Sequence, residues 1–235
     1  MPRVRRDALL AAGFGAGFLA VTAALAAGGP LIELDLAVRE WSEAHRPAPV
    51  EALARTLNRL GQGGVLLGVA AVLAGWLALV RWRRERAGGW PAVQPLLYLL
   101  LAAGLVYLTV AGVKRATERG APSSPLPPER TVPLFGPLPP GEYATGYPSG
   151  HAVNTIVWYG VILLLGTALL HAYRRAGPPP AVRYGFRIVP PVIVVLAQTY
   201  LSFHWLTDSL AGLALGLAID RTLCLSRLLL LRRLE

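Results

Sequence analysis

One cysteine, Cys224, stands in 235 residues. A lone thiol excludes a disulfide framework and any metal site assembled from several cysteines. Charge is sparse too: Asp, Glu, Lys and Arg together make up 15% of the chain, and acids are the scarcer sign, 13 against 23 Lys and Arg. Ordinary soluble domains carry about 25% charged residues, so this chain lacks the means to cover a water-exposed surface. What it has instead is apolar sequence, 54% of all residues, gathered into runs that reach the roughly 20 residues needed to cross hydrocarbon. The composition excludes an ordinary soluble domain and predicts an all-α integral membrane bundle forming a single membrane domain.

The net charge of +10 would suit nucleic acid if the arginines formed one patch on a soluble fold. They sit instead in short segments between apolar runs, where a membrane protein keeps its orientation signal, and no nucleic-acid partner is expected. Six runs read as transmembrane spans, at residues 8–28, 63–80, 92–113, 152–170, 184–203 and 209–225. A removable signal is the alternative for residues 2–29, where Arg3, Arg5 and Arg6 lead the first run. That run is long for a signal core and fits a spanning helix.

Residues 31–62 break the pattern. Leu31, Leu34, Leu36, Val38 and Trp41 are mixed with Glu33, Asp35, Arg39, Glu40 and Glu43; beyond Pro47 and Pro49, Val50, Leu53, Leu57 and Leu60 recur at helical spacing. Neither half is apolar enough to span, which predicts two short amphipathic helices at the interface that connect and cover the spans. Residues 123–143 hold Pro125, Pro127, Pro128, Pro133, Pro137, Pro139 and Pro140 and predict an irregular loop.

Basic clusters precede span 1 and follow span 2 (Arg81, Arg83, Arg84, Arg86), span 4 (Arg174, Arg175, Arg183) and span 6 (Arg227, Arg232, Arg233). Six crossings put these clusters on one side, which the positive-inside rule makes the cytoplasm. The expectation is a multi-pass plasma-membrane protein with both termini cytoplasmic. Lys114 closes span 3, His151 opens span 4 and His204 closes span 5, so all three then share the extracytoplasmic face.

Chemistry concentrates in those three places. In Gly146-Tyr147-Pro148-Ser149-Gly150-His151, Pro148 and Gly150 bend the chain, and Ser149 can cap the next helix, whose first N–H groups favour an anion. His204 and Asp208 are four apart and share a helix face, so the carboxylate can fix the imidazole tautomer; as a bland alternative, the pair simply caps span 6. Lys114, Arg115 and Arg119, read alone, are snorkelling charges. Together, two histidines, a carboxylate, cations and a Ser-Gly turn suit phosphoryl transfer with neither metal nor cofactor. One His takes the phosphoryl group, the other protonates the leaving oxygen, and cations with helix-end amides hold the phosphate. Zinc on His151, His204 and Asp208 is the weaker reading, because Lys114 and Arg119 would repel it.

These residues resemble the three signatures of the type 2 phosphatidic acid phosphatase superfamily, which includes undecaprenyl-diphosphate phosphatases and vanadium haloperoxidases. The resemblance rests on residues 114–122, on Tyr147-Pro148-Ser149-Gly150-His151, and on His204 with Asp208. It implies His204 as nucleophile, Asp208 as its orienting partner, His151 as general acid, and Lys114, Ser149 and Gly150 as phosphate ligands. Two signature arginines are replaced, by Ala121 and Gln198. Arg119 is expected to serve in place of one, and Gln198 to offer a hydrogen bond without charge.

The expected function is hydrolysis of a lipid phosphate or diphosphate, polyprenyl or glycerolipid, at the membrane surface. A transferase passing the phosphoryl or phospho-head group to a lipid or sugar alcohol uses the same site. A binding protein on a weakened version of the fold is the third reading; it gives the two histidines and Asp208 no task.

Overall fold

A computed structural model describes residues 3–85, 89–136, 138, 139 and 144–230, with Glu85 and residues 227–230 described by backbone alone. Arg86, Pro137, Pro140, Arg232 and Arg233, named above, lie outside the described residues, as does the side chain of Arg227. The described residues form helices and loops: α1 (Arg3–Ala26), α2 (Pro30–Ala44), α3 (Ala48–Asn58), a 3-10 turn (Arg59–Gly61), α4 (Gly63–Glu85), α5 (Trp90–Thr117), α6 (Pro128–Thr131), α7 (Gly150–Ala172), α8 (Pro180–Tyr200) and α9 (Leu206–Leu230). Six of them, α1, α4, α5, α7, α8 and α9, are long and apolar enough to cross a membrane.

Helix α7 is the core element, and its sequence says why. It is apolar on every face, as a helix must be when neighbours surround it, and Val153, Val157, Trp158, Val161 and Leu165 are all buried. It packs on α4, α5, α8 and α9, while α1 lies along α9. Gly212 lets α9 approach α7 closely, since a Cβ there would stand 2.6 Å from the Ser149 carbonyl oxygen.

The helices overrun the apolar runs read from sequence. Helix α5 continues to Thr117 and α4 to Glu85, because a helix satisfies its own backbone beyond the hydrocarbon and basic side chains snorkel outward. Helix α8 is displaced toward the N-terminus relative to the expected span, starting at Pro180 and ending at Tyr200. The Pro-rich segment is not irregular throughout, for Pro128 sits at the first position of the single-turn α6, where its missing N–H costs nothing.

The two amphipathic helices lie across the bundle end where α8 stops and α9 starts. Ala54 of α3 packs on Ala197 and Leu201, and Asp35 of α2 reaches the first turn of α9. At the opposite end, Arg187 of α8 donates to Asp220 of α9 at 2.5 Å, and Arg221 of α9 reaches Asp7 of α1 at 3.3 Å. Both carboxylates are buried, so these pairs tie the first helix to the last where unpaired charge would be costly.

Candidate active site

Helix α5 ends because Glu118 adopts a left-handed conformation, φ 48°, and its N–H closes on the Lys114 carbonyl at 3.1 Å. The turn sends Arg119 inward. The guanidinium is fully buried and donates to the Val132 carbonyl (2.7 Å), Thr207 Oγ1 (2.8 Å), Asp208 Oδ1 (2.5 Å) and Asp35 Oδ2 (2.7 Å). Trp205 lies beneath it, ring centroid 5.6 Å away, and donates its indole N–H to Gly120. Asp35 is the second anchor: its Oδ1 accepts the Thr207 N–H at 2.9 Å, which satisfies an amide at the start of α9. Burial pushes the Asp35 carboxyl above its ordinary value, and the neighbouring Arg119 guanidinium opposes that rise.

The signature loop is held from several sides. The Tyr147 ring stacks on Phe18 of α1, with centroids 5.8 Å apart, and its hydroxyl meets Thr22 Oγ1 at 2.6 Å. Burial lifts this hydroxyl to about 12, so it stays neutral. The Tyr147-Pro148 bond is cis. Ser149 N–H donates to the Asp208 carbonyl at 3.0 Å, and Ser149 Oγ accepts from Ala152 N–H, capping α7 as its position predicts. The same hydroxyl donates to Gln198 Oε1 at 2.7 Å, and Gln198 Nε2 donates to Ser209 Oγ at 2.8 Å.

His204 Nδ1 stands 2.9 Å from the Gly146 carbonyl oxygen. A carbonyl can only accept, so Nδ1 carries the proton and Nε2 keeps its lone pair. Spacing had suggested Asp208 as the direct acceptor, but its Oδ2 is 3.6 Å from Nδ1. That oxygen accepts the Trp205 N–H at 3.0 Å while Oδ1 takes Arg119. Asp208 therefore acts on His204 as a nearby charge, and a backbone carbonyl fixes the tautomer. His151, the second residue of α7, places its ring centroid 6.3 Å from that of His204. Lys114 Nζ donates to the Thr145 carbonyl and lies 3.5 Å from that of Gly146.

All eight residues singled out from sequence, Lys114, Arg119, Ser149, Gly150, His151, Gln198, His204 and Asp208, thus gather at one end of the bundle. They divide into two groups. His151, Lys114 and Gly150 at the start of α7 are half-buried, with His204 buried beside His151. Arg119, Gln198 and Ser149, all expected as phosphate ligands, are fully buried with Asp208 and bonded to protein partners. Among the described residues His151, His204 and Asp208 make no group able to hold a metal ion.

Sequence reading missed Asp35, Gly61 and the Gly146 carbonyl. Asp35 shares a helical stripe with Leu31, Val38 and Ser42, so a carboxylate on the inward face of α2 was the available signal. It also missed two buried polar atoms on α3 and the turn before it, Arg46 Nε and Asn58 Oδ1, which have no hydrogen-bond partner among the described residues.

Fold and geometry define an α-helical membrane protein with two neighbouring imidazoles at one end of its spans. The chain belongs to the PAP2 superfamily, whose model matches residues 95–228. Among solved structures it is similar to the transmembrane PAP2 type phosphatidylglycerolphosphate phosphatase from Bacillus subtilis. The TM-score is 0.67 at 23% identity, covering 92% of this chain and 94% of that one. A comparison with curated proteins gave no significant match.

Proposed function

We propose that this chain is a membrane phosphatase that hydrolyses a lipid phosphate or diphosphate through a phosphohistidine on His204. The observation that carries this reading is the facing pair of imidazoles, 6.3 Å between centroids, with His204 Nδ1 held by the Gly146 carbonyl. Rings at this separation leave room for one phosphoryl group between them, with a nitrogen of one for phosphorus and a nitrogen of the other for the leaving oxygen.

In the first step His204 Nε2 bonds to phosphorus and the phosphorus–oxygen ester bond breaks, the leaving oxygen taking a proton from His151. Asp208 offsets the positive charge that develops on the His204 ring. Lys114 and the first amides of α7, at Gly150 and His151, hold the phosphoryl oxygens. In the second step His151 takes a proton from water as the water oxygen attacks. The phosphorus–nitrogen bond breaks, its electron pair returns to Nε2, and inorganic phosphate leaves. Arg119 fixes Asp208, and Gln198 fixes Ser149; both position the site without touching substrate.

A lipid substrate follows from position, since a site at the end of six apolar helices meets head groups whose tails lie in the bilayer. The fold neighbour's phosphatidylglycerolphosphate is one such molecule, and polyprenyl diphosphates are another. The extracytoplasmic side suits the site because Arg3, Arg83, Arg84, Arg174 and Arg175 gather at the other end. Arg39 and Arg55, near the site, are paired with Glu43 and Glu51 at 2.9 and 2.6 Å.

The test is orthophosphate release by the purified protein in detergent from phosphatidic acid, phosphatidylglycerol phosphate and a polyprenyl diphosphate. Release from at least one is expected, and none from any would end the proposal.

Gly61 supplies a subtler check. A Cβ there would stand 2.9 Å from His151 Cδ2 and 2.8 Å from Val194 Cγ1, so Gly61→Ala pushes the acid out of line. Displacements of this size cost up to about 100-fold. The expected result is a fall in kcat of roughly 10- to 100-fold with KM little changed, read from the same release assay.

A further inference from the structure

We propose that the groove between α4, α7 and α8, at the bundle end opposite the histidines, holds an anionic glycerophospholipid of the leaflet it faces. One acyl chain fills the groove and the phosphate meets Arg175. The cavity measures about 750 Å³, walled by Leu73 and Trp76 of α4, Gly166 and Leu170 of α7, and Val182 and Phe186 of α8. Toward the bundle centre, Phe186 packs edge-on against Tyr159 with centroids 4.9 Å apart. Along α7 the lining runs from Ile162 to Tyr173, roughly 16 Å at the helical rise. That is close to the ~15 Å depth of hydrocarbon in one leaflet, so the groove is as long as a chain reaching from head group to midplane.

The mouth selects the head group. Arg175 lines it, and among the described residues no acid does. The Arg84 guanidinium lies over the Tyr173 ring, 5.0 Å from its centroid, and Arg183 follows Val182 on α8. Trp76 donates its indole N–H to the Tyr173 hydroxyl at 3.2 Å, and Trp82 and Tyr184 are exposed at the same end. Exposed Trp and Tyr among arginines mark head-group depth, and basic pockets between spanning helices hold anionic head groups. A zwitterionic lipid offers the same guanidiniums no net negative charge and is disfavoured. Room for the chain comes from Gly166, where an added Cβ would meet nothing within 4 Å.

The experiment is native mass spectrometry of the purified full chain, offered equal amounts of phosphatidylserine and phosphatidylcholine with identical palmitoyl-oleoyl tails. Wild type is expected to retain phosphatidylserine over phosphatidylcholine by about fivefold, the effect of one arginine near an anionic lipid. Arg175→Gln removes the preference and keeps chain binding. Gly166→Leu, which grows into open space, loses both lipids, and Val182→Phe does the same from the α8 wall. All three variants keep the wild-type thermal unfolding midpoint in lipid-free detergent, and His204→Ala retains phosphatidylserine like wild type. Equal retention of both lipids by wild type would overturn the proposal, as would undiminished phosphatidylserine in Gly166→Leu and Val182→Phe. Loss of the lipid in His204→Ala would also overturn it, by placing the lipid at the catalytic end.

Discussion

His204→Ala is expected to abolish phosphate release, by about four orders of magnitude or more, because it removes the atom proposed to bond to phosphorus. Rate alone would not separate a nucleophile from a positioning residue, so the second readout is the intermediate. Lipid phosphate carrying labelled phosphorus, quenched in alkali where phosphohistidine survives, should label wild-type protein. His204→Ala should stay unlabelled. His151→Ala should accumulate label when the leaving group is a good one such as nitrophenolate, which departs without an acid, since water attack on the intermediate then lacks its base. Label on His204→Ala protein would show that another residue takes the phosphoryl group.

Arg119→Ala is expected to have the largest effect on stability. The guanidinium joins Asp35, Asp208, Thr207 and the Val132 carbonyl with no exposed surface. Its loss leaves two carboxylates buried without their shared cation, and breaking such a pair costs about 3–5 kcal/mol. The thermal unfolding midpoint in detergent should fall steeply, and phosphate release should fall with it as Asp208 loses its place beside His204. The control is a double-mutant cycle with Asp35→Ala. Once Asp35 is gone, removing Arg119 strands one carboxylate instead of two, so the pair should couple by about 2 kcal/mol or more. Additive effects would mean that the contact between α2 and Arg119 contributes nothing to stability.

Much of the fold was readable without coordinates because lipid allows so few solutions. Long apolar runs had to be helices, and the six runs became α1, α4, α5, α7, α8 and α9. The amphipathic segments became α2 and α3 for the same reason: mixed apolar and charged residues at helical spacing neither span nor stay unpaired. Helix ends were less legible, as with α8, whose start at Pro180 depends on proline suiting a first helical turn rather than on hydropathy. At the site, His151, His204, Asp208, Ser149 and Lys114 stood out by residue type and spacing. The tasks of Arg119 and Gln198 did not, since a buried arginine between two carboxylates and a solvated arginine at a helix end look alike in sequence.

The sequence by itself determined the solvent, the number of spans and the chemical inventory, because these depend on composition and on periods of a few residues. Only the tertiary structure decided which acceptor orients His204 and which carboxylate answers Arg119. The Gly146 carbonyl lies 58 residues from His204 along the chain and Asp35 lies 84 from Arg119. No local pattern encodes such partners; they meet because packing of α7 against α9 and of α2 across their ends brings polar groups from distant segments together.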